Sequence, residues 1–148
     1  MKPIIRPARL SDARAILKIR NEPASLAVSA GSEPIPLAQH LAWFENKYFK
    51  QSGSLCFVVE LDGVVVGYSR FDLDEDQYLI SAAITTSMHG KGIGNILFKE
   101  SIEQLNPQIP IWGEPLKSNH VSIKILERCG FKRISESDKF FLYKLIRA

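Results

Sequence analysis

The segment His89-Gly-Lys-Gly-Ile-Gly94 constrains the fold of this chain more than any other. Its three alternating glycines allow a tight backbone turn and a close approach to a ligand. An apolar, strand-like run precedes the segment, and a run with helical periodicity follows it. The predicted face of that helix consists of Ile93, Ile96, Leu97, Ile102 and Leu105. We therefore predict a strand–turn–helix unit in the middle of the chain.

A three-stranded antiparallel meander is predicted before this unit. Two apolar, strand-like runs at 55–61 and 64–73 are joined by Asp62-Gly63, which is a strong signal for a two-residue hairpin turn. The acidic segment Asp72–Asp76 is expected to form the next turn, and a third strand covers about 78–86. The first half of the sheet should therefore be antiparallel.

The other elements follow from caps, prolines and periodicity. In chain order we expect a strand at 3–8, helices at about 11–20 and from Pro36, a strand at 109–114, a helix capped by Asn119 and ended by Gly130, and strands near 131–136 and 139–146. Residues 21–35 are expected to form a loop, and Asn106-Pro107 stops the central helix. The order β-α-α-β-β-β-α-β-α-β-β predicts a single mixed α/β (α+β) domain over residues 1–148.

Charge and hydropathy exclude several classes of protein. The net charge of +3 is mild and does not indicate a nucleic-acid-binding protein. No apolar run approaches the ~20 residues that span a membrane, and the first ten residues lack the apolar core of a signal peptide. We expect a cytoplasmic protein that has neither nucleic acid nor a membrane as a partner, either as a monomer or as a homodimer.

Metal and disulfide chemistry are not predicted. Cys56 and Cys129 are too few for a disulfide framework and are expected to be buried free thiols. His40, His89 and His120 lack the spacing of metal ligands, so we expect no metal site.

The glycine-rich segment favours an anion as its ligand. Free N–H groups of the first helical turn, together with the helix dipole, attract phosphate or pyrophosphate, and Lys91 adds positive charge. The pattern GxxxxGK[ST] is absent, and a dinucleotide fingerprint would require glycine where Leu97 stands. A plain structural turn remains the alternative interpretation.

Two motifs resemble those of the GNAT acetyltransferases. Gly92 and Gly94 match the glycines of motif A, although His89 stands where the family has Gln or Arg. Asn119-His-Val-Ser122, followed by Gly130-Phe131, is similar to motif B. The resemblance covers about residues 55–135. It implies the GNAT acyltransferase fold, with a mixed, mostly antiparallel sheet and helices on both faces, and a reaction that acetylates a primary amine.

The resemblance also implies where acetyl-coenzyme A binds as co-substrate. Its pantetheine arm would enter between the central strand and the strand after the third helix, and its pyrophosphate would lie on the glycine loop. A backbone N–H near Ile84 would polarise the carbonyl. The implied contacts are Ile84, Thr85, Thr86, His89, Gly90, Lys91, Gly92, Ile93, Gly94, Asn119 and Ser122.

Candidate catalytic residues are Glu114, Ser81 and Tyr143. The amine must lose a proton, and Glu114, at the end of its strand, is the candidate general base. Its alternative is a solvated strand-end carboxylate, while Ser81 could position a water. Many family members place a tyrosine on the motif B helix as the acid, but Leu126 occupies that position here. Tyr143 could replace it, or could be a core residue.

In the family, acceptor sites are built by the first two helices and variable loops. Here this implies Arg20, Asn21, the loop Ser29–Pro36, His40 and Trp43. For Arg20 the alternative is a charge at a helix C-terminus, and for Trp43 it is core packing. The sequence looks like the branches that acetylate nucleotide-linked amino sugars or ribosomal proteins. We favour a small-molecule amine over a protein; a non-catalytic regulatory module that binds coenzyme A is a further alternative.

Overall fold

The computed structural model describes residues 2–28, 33–105 and 108–145. Within these residues there are seven strands: β1 (Ile4–Pro7), β2 (Leu55–Leu61), β3 (Val64–Asp74), β4 (Gln77–Ile84), β5 (Ile111–Gly113), β6 (Lys132–Glu136) and β7 (Phe141–Leu145). The α-helices are α1 (Ala13–Arg20), α2 (Pro23–Ala27), α3 (Leu37–Tyr48), α4 (Ile93–Leu105) and α5 (His120–Arg128). Short 3-10 turns at Leu10–Asp12 and Thr86–Met88 precede α1 and follow β4.

The strands form one sheet in the order β1-β2-β3-β4-β5-β7-β6. Every neighbouring pair is antiparallel except β4 and β5, which are parallel. The β4–β5 pairing extends over only three residues, from Tyr78–Ile111 to Ile80–Gly113. Beyond that point the two strands have no further paired residues, although β4 continues for four residues to Ile84.

Helices cover both faces of this sheet, as the resemblance implied. One hydrophobic core lies beneath α4 and α5 and includes Phe71, Ile80 and Leu97. A second core beneath α1 and α3 includes Phe44 and Tyr68. Because successive strand residues point to opposite faces, β3 supplies Tyr68 to one core and Phe71 to the other. Each large apolar side chain buried in this way stabilises the fold by about 1.5–3 kcal/mol.

Two predicted turns have the expected backbone geometry. Asp62 and Gly63 both adopt positive φ, at 50° and 80°, as the tight hairpin between β2 and β3 requires. Gly130 follows the end of α5 with φ of 92°, the left-handed conformation of a C-terminal glycine. Asn119 caps the same helix, since its side chain accepts a hydrogen bond from the Ser122 N–H. These three predictions are confirmed.

The predicted loop at 21–35 was wrong in its first part. Residues Pro23–Ala27 form α2, which adds a helix to the predicted order. Pro23 begins the helix, where its missing N–H costs nothing because first-turn N–H groups have no helical acceptor. Five residues are too few to show helical periodicity, so the pattern did not reveal this helix. The part of the predicted Ser29–Pro36 loop at 29–32 lies outside the described residues.

In the central meander, β3 is longer and β4 ends earlier than predicted. Asp72 and Asp74 belong to β3, so the acidic turn consists of Glu75 and Asp76 alone, with Glu75 at φ of 57°. The third strand ends at Ile84, and the chain then enters the 3-10 turn. The strand predicted at 109–114 covers only Ile111–Gly113. The helix stop predicted at Asn106-Pro107 lies outside the described residues, as does residue 146 of the predicted last strand.

The two cysteines are free thiols, as predicted. Cys56 is buried in the core beneath α1 and α3, and burial raises its pKa to about 12. Cys129 is only half-buried, because it lies at the end of α5. Among the described residues, no helix combines the length and the apolar character that crossing a membrane requires.

Candidate active site

The central feature of the site is the place where β4 and β5 separate. We call it the fork, defined by Ser81–Ile84 of β4 and by Glu114, which follows the last paired residue of β5. Ser81 and Glu114 directly follow the last β4–β5 pair on their respective strands. Glu114 is exposed and Ser81 is half-buried. Two residues that the sequence singled out from separate segments therefore flank the point where β4 and β5 stop pairing.

The backbone of β4 presents polar groups to the fork. The Tyr78 N–H donates to the Pro110 carbonyl on the β5 side at 3.0 Å, whereas the Thr85 N–H donates to Val66 on the β3 side at 2.8 Å. Because backbone direction alternates along a strand, Ala82 and Ile84 direct their N–H and C=O groups toward β5. No strand residue pairs with them there. The sequence indicated Ile84 but not Ala82, because the strand register decides which β4 residues direct their N–H and C=O groups toward β5.

The glycine loop lies at the end of β4 and leads into α4. Gly90 and Gly92 adopt φ of 79° and 76°, and a Cβ added at either would meet no atom within 4 Å. Gly94 differs, since its Cβ would lie 2.7 Å from the Ile125 Cδ1 atom of α5. Two of the three glycines thus border open space, while the third allows α4 and α5 to pack closely.

The start of α4 offers backbone donors beside that open space. The Ile96 N–H donates to the Gly92 carbonyl at 3.4 Å. The N–H groups before Ile96, beginning with Ile93, therefore have no acceptor within the helix. Lys91, which is exposed, adds a positive charge to the positive end of the helix dipole. This arrangement suits a phosphate or pyrophosphate group.

His89 is held against the end of β4. Its Nε2 atom lies 2.7 Å from the Ile84 carbonyl oxygen, so Nε2 carries the proton and donates it. The imidazole thereby fixes the loop to the strand, and only Nδ1 remains for a ligand. This contact explains how a histidine can stand where the family has Gln or Arg: it stabilises the loop from within.

Glu22 is a site residue that sequence reasoning missed. Its carboxylate accepts hydrogen bonds from the Thr85 hydroxyl (2.5 Å), the Thr86 N–H (2.9 Å) and the Thr86 hydroxyl (3.0 Å). Burial disfavours its ionisation, but the hydrogen bonds from Thr85 and Thr86 outweigh that cost and lower its pKa. Glu22 precedes α2 and is far from β4 in sequence, so no local pattern indicates this contact.

Those bonds limit what Thr85 and Thr86 can offer a ligand. The Thr85 N–H is bonded to Val66, and the Thr86 N–H to Glu22. Of the three consecutive residues predicted to hold the pantetheine arm, only Ile84 keeps a backbone N–H that faces the fork. The Ala82 N–H, two residues earlier on β4, also faces the fork.

Asn119 and Ser122 lie at the start of α5. The Asn119 Oδ1 atom accepts from the Ser122 N–H at 3.2 Å, which caps the helix. The Asn119 Nδ2 group has no hydrogen-bond partner in the part of the chain that the structure describes. The residue therefore combines an occupied acceptor with a free donor.

Tyr143 and Leu126 occupy the core rather than the fork. Tyr143 is 0% exposed. Its hydroxyl donates to Glu127 at 2.8 Å and accepts from Arg133 at 3.1 Å, which ties it to α5 and β6. Leu126, at the family's tyrosine position, is buried against Gly113. The structure thus brings neither side chain to the opening.

Asn21 and His40, two of the predicted acceptor contacts, hold the scaffold together. Asn21 makes two hydrogen bonds to the backbone of Ile35, at 2.8 and 3.0 Å, and so fixes the segment before α3. His40 is fully buried, and its Nε2–H donates to the Ala13 carbonyl at 2.7 Å. Burial lowers the pKa of His40, although the bond to Ala13 opposes this shift. Because the Nδ1 atom accepts a hydrogen bond from Arg20, the ring is neutral.

Arg20 and Trp43 meet on the α1–α3 face of the sheet. The Arg20 guanidinium carbon lies 4.2 Å from the centre of the Trp43 ring, and that of Arg70 lies 5.2 Å from the same ring. Arg70 pairs with Ser81 across β3 and β4, so the two side chains share this face. Asp72 accepts from Arg70 at 2.7 Å and from the Tyr48 hydroxyl at 2.6 Å. Sequence analysis missed Arg70, because a lone strand arginine carries no motif.

Metal ligands do not come together in the residues that the structure covers. No group of three or more His, Cys, Asp or Glu side chains is placed to hold an ion there.

Comparison with known proteins agrees with this geometry. A family model described as acetyltransferase (GNAT) domain matches residues 3–132. Comparison with curated proteins found no significant match. An N-acetyltransferase from Staphylococcus aureus Mu50 is similar in structure, with a TM-score of 0.84, 24% identity and coverage of 99% of both chains.

Two further solved structures share the fold. A ribosomal-protein-alanine N-acetyltransferase from Brucella melitensis has a TM-score of 0.82 and 21% identity, covering 97% of this chain and 99% of its own. A phosphinothricin acetyltransferase from Sinorhizobium meliloti, solved with acetyl-coenzyme A, has a TM-score of 0.84 and 17% identity, covering 98% and 88%. At these identities the structural likeness shows the fold alone.

The chain belongs to the GNAT acetyltransferase family, because the family model spans most of its length. It is an acetyl-coenzyme A-dependent N-acetyltransferase, and its sheet, which separates between β4 and β5, is the GNAT fold that the motifs implied.

Proposed function

We propose that the acceptor is a small-molecule primary amine, with nucleotide-linked amino sugars as the favoured class. The observation that carries this proposal is the positive charge on the α1–α3 face, where Arg20 and Arg70 stack on Trp43. Asp72, the carboxylate beside them, is already bound to Arg70. A basic protein tail would meet repulsion here, whereas a diphosphate-linked sugar would meet complementary charge.

Acetyl-coenzyme A would bind from the opposite face, along α4 and α5. Gly90 and Gly92 border open space at a helix N-terminus, which suits the pyrophosphate. The N–H groups of Ala82 and Ile84 and the Ala82 carbonyl would hold the acetyl-pantetheine arm, since the Ile84 carbonyl already accepts a hydrogen bond from His89. The Asn119 Nδ2 group would donate from α5. When bound, the co-substrate supplies an acetyl group activated as a thioester. The residues present therefore fit this group.

Acetyl transfer would occur directly, in a ternary complex at the fork. The amine nitrogen forms a bond to the acetyl carbon, the carbon–sulfur bond breaks, and the sulfur leaves as a thiolate. Backbone N–H groups of Ala82 and Ile84 would donate to the carbonyl oxygen, on which negative charge develops. Glu114 would accept the proton of the amine through water, and Ser81 would position that water. We assign no protein acid to the sulfur, since Leu126 and Tyr143 are buried in the core.

The test is release of free thiol from acetyl-coenzyme A with a panel of amines. The panel contains a nucleotide-linked 4-amino sugar, the corresponding free amino sugar, a polyamine and a basic peptide. We expect release that depends on the nucleotide-linked sugar. Release with the basic peptide alone would favour the ribosomal-protein alternative. Tight coenzyme A binding without thiol release with any amine would favour a regulatory module.

We further propose a cytoplasmic location, as the sequence predicts.

A further inference from the structure

Arg20, on the α1–α3 face, carries a positive charge that has no salt-bridge partner among the described residues. The Arg20 Nη1 group donates to the His40 Nδ1 atom at 3.1 Å, and the guanidinium stacks on Trp43. His40 is neutral, so it offers a hydrogen bond without a negative charge. Among the residues that the structure describes, no carboxylate lies within salt-bridge distance of Arg20. A half-buried guanidinium without such a partner loses hydration and gains no ion pair in return.

The surrounding charges leave a surplus of cations. Asp72 is shared between Arg70, at 2.7 Å, and Lys47, at 3.9 Å. Three cations, Arg20 included, thus face one carboxylate. Burial lowers the pKa of Arg20, and the charge of Arg70 lowers it further. The Nε atom of Arg70 is also buried without a hydrogen-bond partner. An anion bound at Arg20 would supply the negative charge that this guanidinium lacks.

This cluster lies beside the fork. Arg70 pairs with Ser81, and Ser81 is the first β4 residue beyond the last β4–β5 pair. Trp43 links the two arginines, since both guanidinium carbons lie within 5.2 Å of its ring centre. A molecule that places its amine at the fork could therefore place another group against Trp43.

We propose that Arg20, stacked on Trp43 beside Arg70, binds an oxyanion of the amine acceptor, either a carboxylate or a phosphate. A guanidinium presents paired N–H groups that match the two oxygens of such a group. The inference rests on the proposed function and narrows it: the substrate is an amine that also carries a negative charge. Polyamines and C-terminally amidated basic peptides lack this feature.

The first test compares charged and neutral versions of the same acceptor. A nucleotide-linked amino sugar is paired with the free amino sugar, and an α-amino acid is paired with its amide. We expect Arg20→Gln to lower kcat/KM for a charged acceptor roughly 10–100-fold, mainly through KM, and to leave its neutral counterpart nearly unchanged. A selective loss in the sugar pair would identify phosphate as the bound group, and a selective loss in the amino-acid pair would identify carboxylate. An equal loss for both members of each pair would overturn the proposal.

Arg14→Gln is the matched control for this variant. Arg14 is exposed on the same helix as Arg20. Its substitution therefore removes one positive charge from α1 without changing the contacts of Arg20 with Trp43. We expect it to preserve the preference for the charged acceptor. The same loss of preference in Arg14→Gln and Arg20→Gln would indicate a general field effect and contradict a specific site.

The second test needs no turnover. Inorganic pyrophosphate and citrate are titrated calorimetrically into protein saturated with coenzyme A, which occupies the glycine loop. We expect binding that Arg20→Gln weakens at least tenfold, that Arg20→Lys retains in part, and that Arg14→Gln leaves unchanged. Equal affinity in wild type and Arg20→Gln would overturn the anion site. Intact anion binding without acetyl transfer to any amine would contradict the proposed acceptor class and uphold the anion site.

Discussion

Glu114 is the carboxylate nearest in sequence to the point where β4 and β5 separate, and its exposure would leave room for a water between it and the proposed amine. An alkylammonium is mostly protonated at neutral pH, so the reaction needs a proton acceptor there. At alkaline pH more of the amine is already neutral, and the acceptor matters less. The role of Glu114 therefore has a distinct pH signature.

We predict that Glu114→Gln lowers kcat/KM by about 10²–10⁴-fold at neutral pH, the range of general base catalysis. The loss should shrink as the pH rises. Rates of thiol release across pH, measured beside Glu100→Gln on the exposed surface of α4, test this. Profiles for Glu114→Gln and wild type that superimpose would remove Glu114 as the base.

Glu22 gives a second prediction, for stability. Its pKa is lowered below 4.5, so its ionised form stabilises the fold above that pH, and the contribution is lost as the pH falls through the lower, folded-state pKa. Glu22→Gln should therefore lower Tm at neutral pH, and the Tm difference from wild type should narrow as the solution becomes more acidic. Thermal denaturation at several pH values measures this. A Tm difference that stays constant from neutral to strongly acidic pH would contradict the assignment.

At the scale of the element, we propose that Asn119 of α5 has both a structural and a binding role. The Asn119 Oδ1 atom caps the helix, while its Nδ2 group is available to the co-substrate. The two roles can be separated, because aspartate retains the capping oxygen and lacks the amide donor. The substitutions Asn119→Ala and Asn119→Asp should therefore differ in their effect on stability but not in their effect on co-substrate affinity.

We predict that Asn119→Ala costs about 1 kcal/mol of stability, the usual value of a cap. Asn119→Asp should keep that stability. Both should weaken binding of acetyl-coenzyme A, which calorimetry measures alongside thermal denaturation. Wild-type affinity in Asn119→Asp would show that the Nδ2 group does not contact the co-substrate.

The elements with strong local signals could be predicted from the sequence. The hairpin at Asp62-Gly63, the caps of α5 and the glycine loop each depend on a few neighbouring residues whose φ values or hydrogen bonds are decided locally. The short helix α2 could not, since Pro23–Ala27 is too brief for a periodic pattern. The contacts of Glu22 with Thr85 and Thr86, just after β4, could not be predicted either, because they join distant segments.

The candidate site divides in the same way. The glycines of the loop and Asn119 were found from motif spacing, and they lie at the start of α4 and of α5 respectively. Arg70 and Ala82 depend on strand register, which the sequence does not specify residue by residue. Tyr143 illustrates the limit: its strand was predicted, but the sequence left open whether its side chain served the core or the reaction. Its hydroxyl bonds with Glu127 and Arg133 instead of facing the fork.

At the scale of the whole molecule, the sheet separates two binding regions that meet at one opening. The α4–α5 side holds the open glycine loop, and the α1–α3 side holds Arg20 and Trp43. β4 and β5 stop pairing at Ile80 and Gly113, and we propose that the amine and the acetyl group meet at this point. This geometry is compatible with the direct transfer in a ternary complex that we propose.

The most direct test of this account is calorimetric titration of acetyl-coenzyme A into wild type and Gly92→Glu. A glutamate at position 92 would place bulk and negative charge beside the α4 N-terminus. Gly63→Glu is the matched control, because Gly63 also has positive φ and open space at its Cβ but lies in the β2–β3 hairpin. We predict that Gly92→Glu abolishes binding while Gly63→Glu retains it. Wild-type affinity in folded Gly92→Glu would contradict the account.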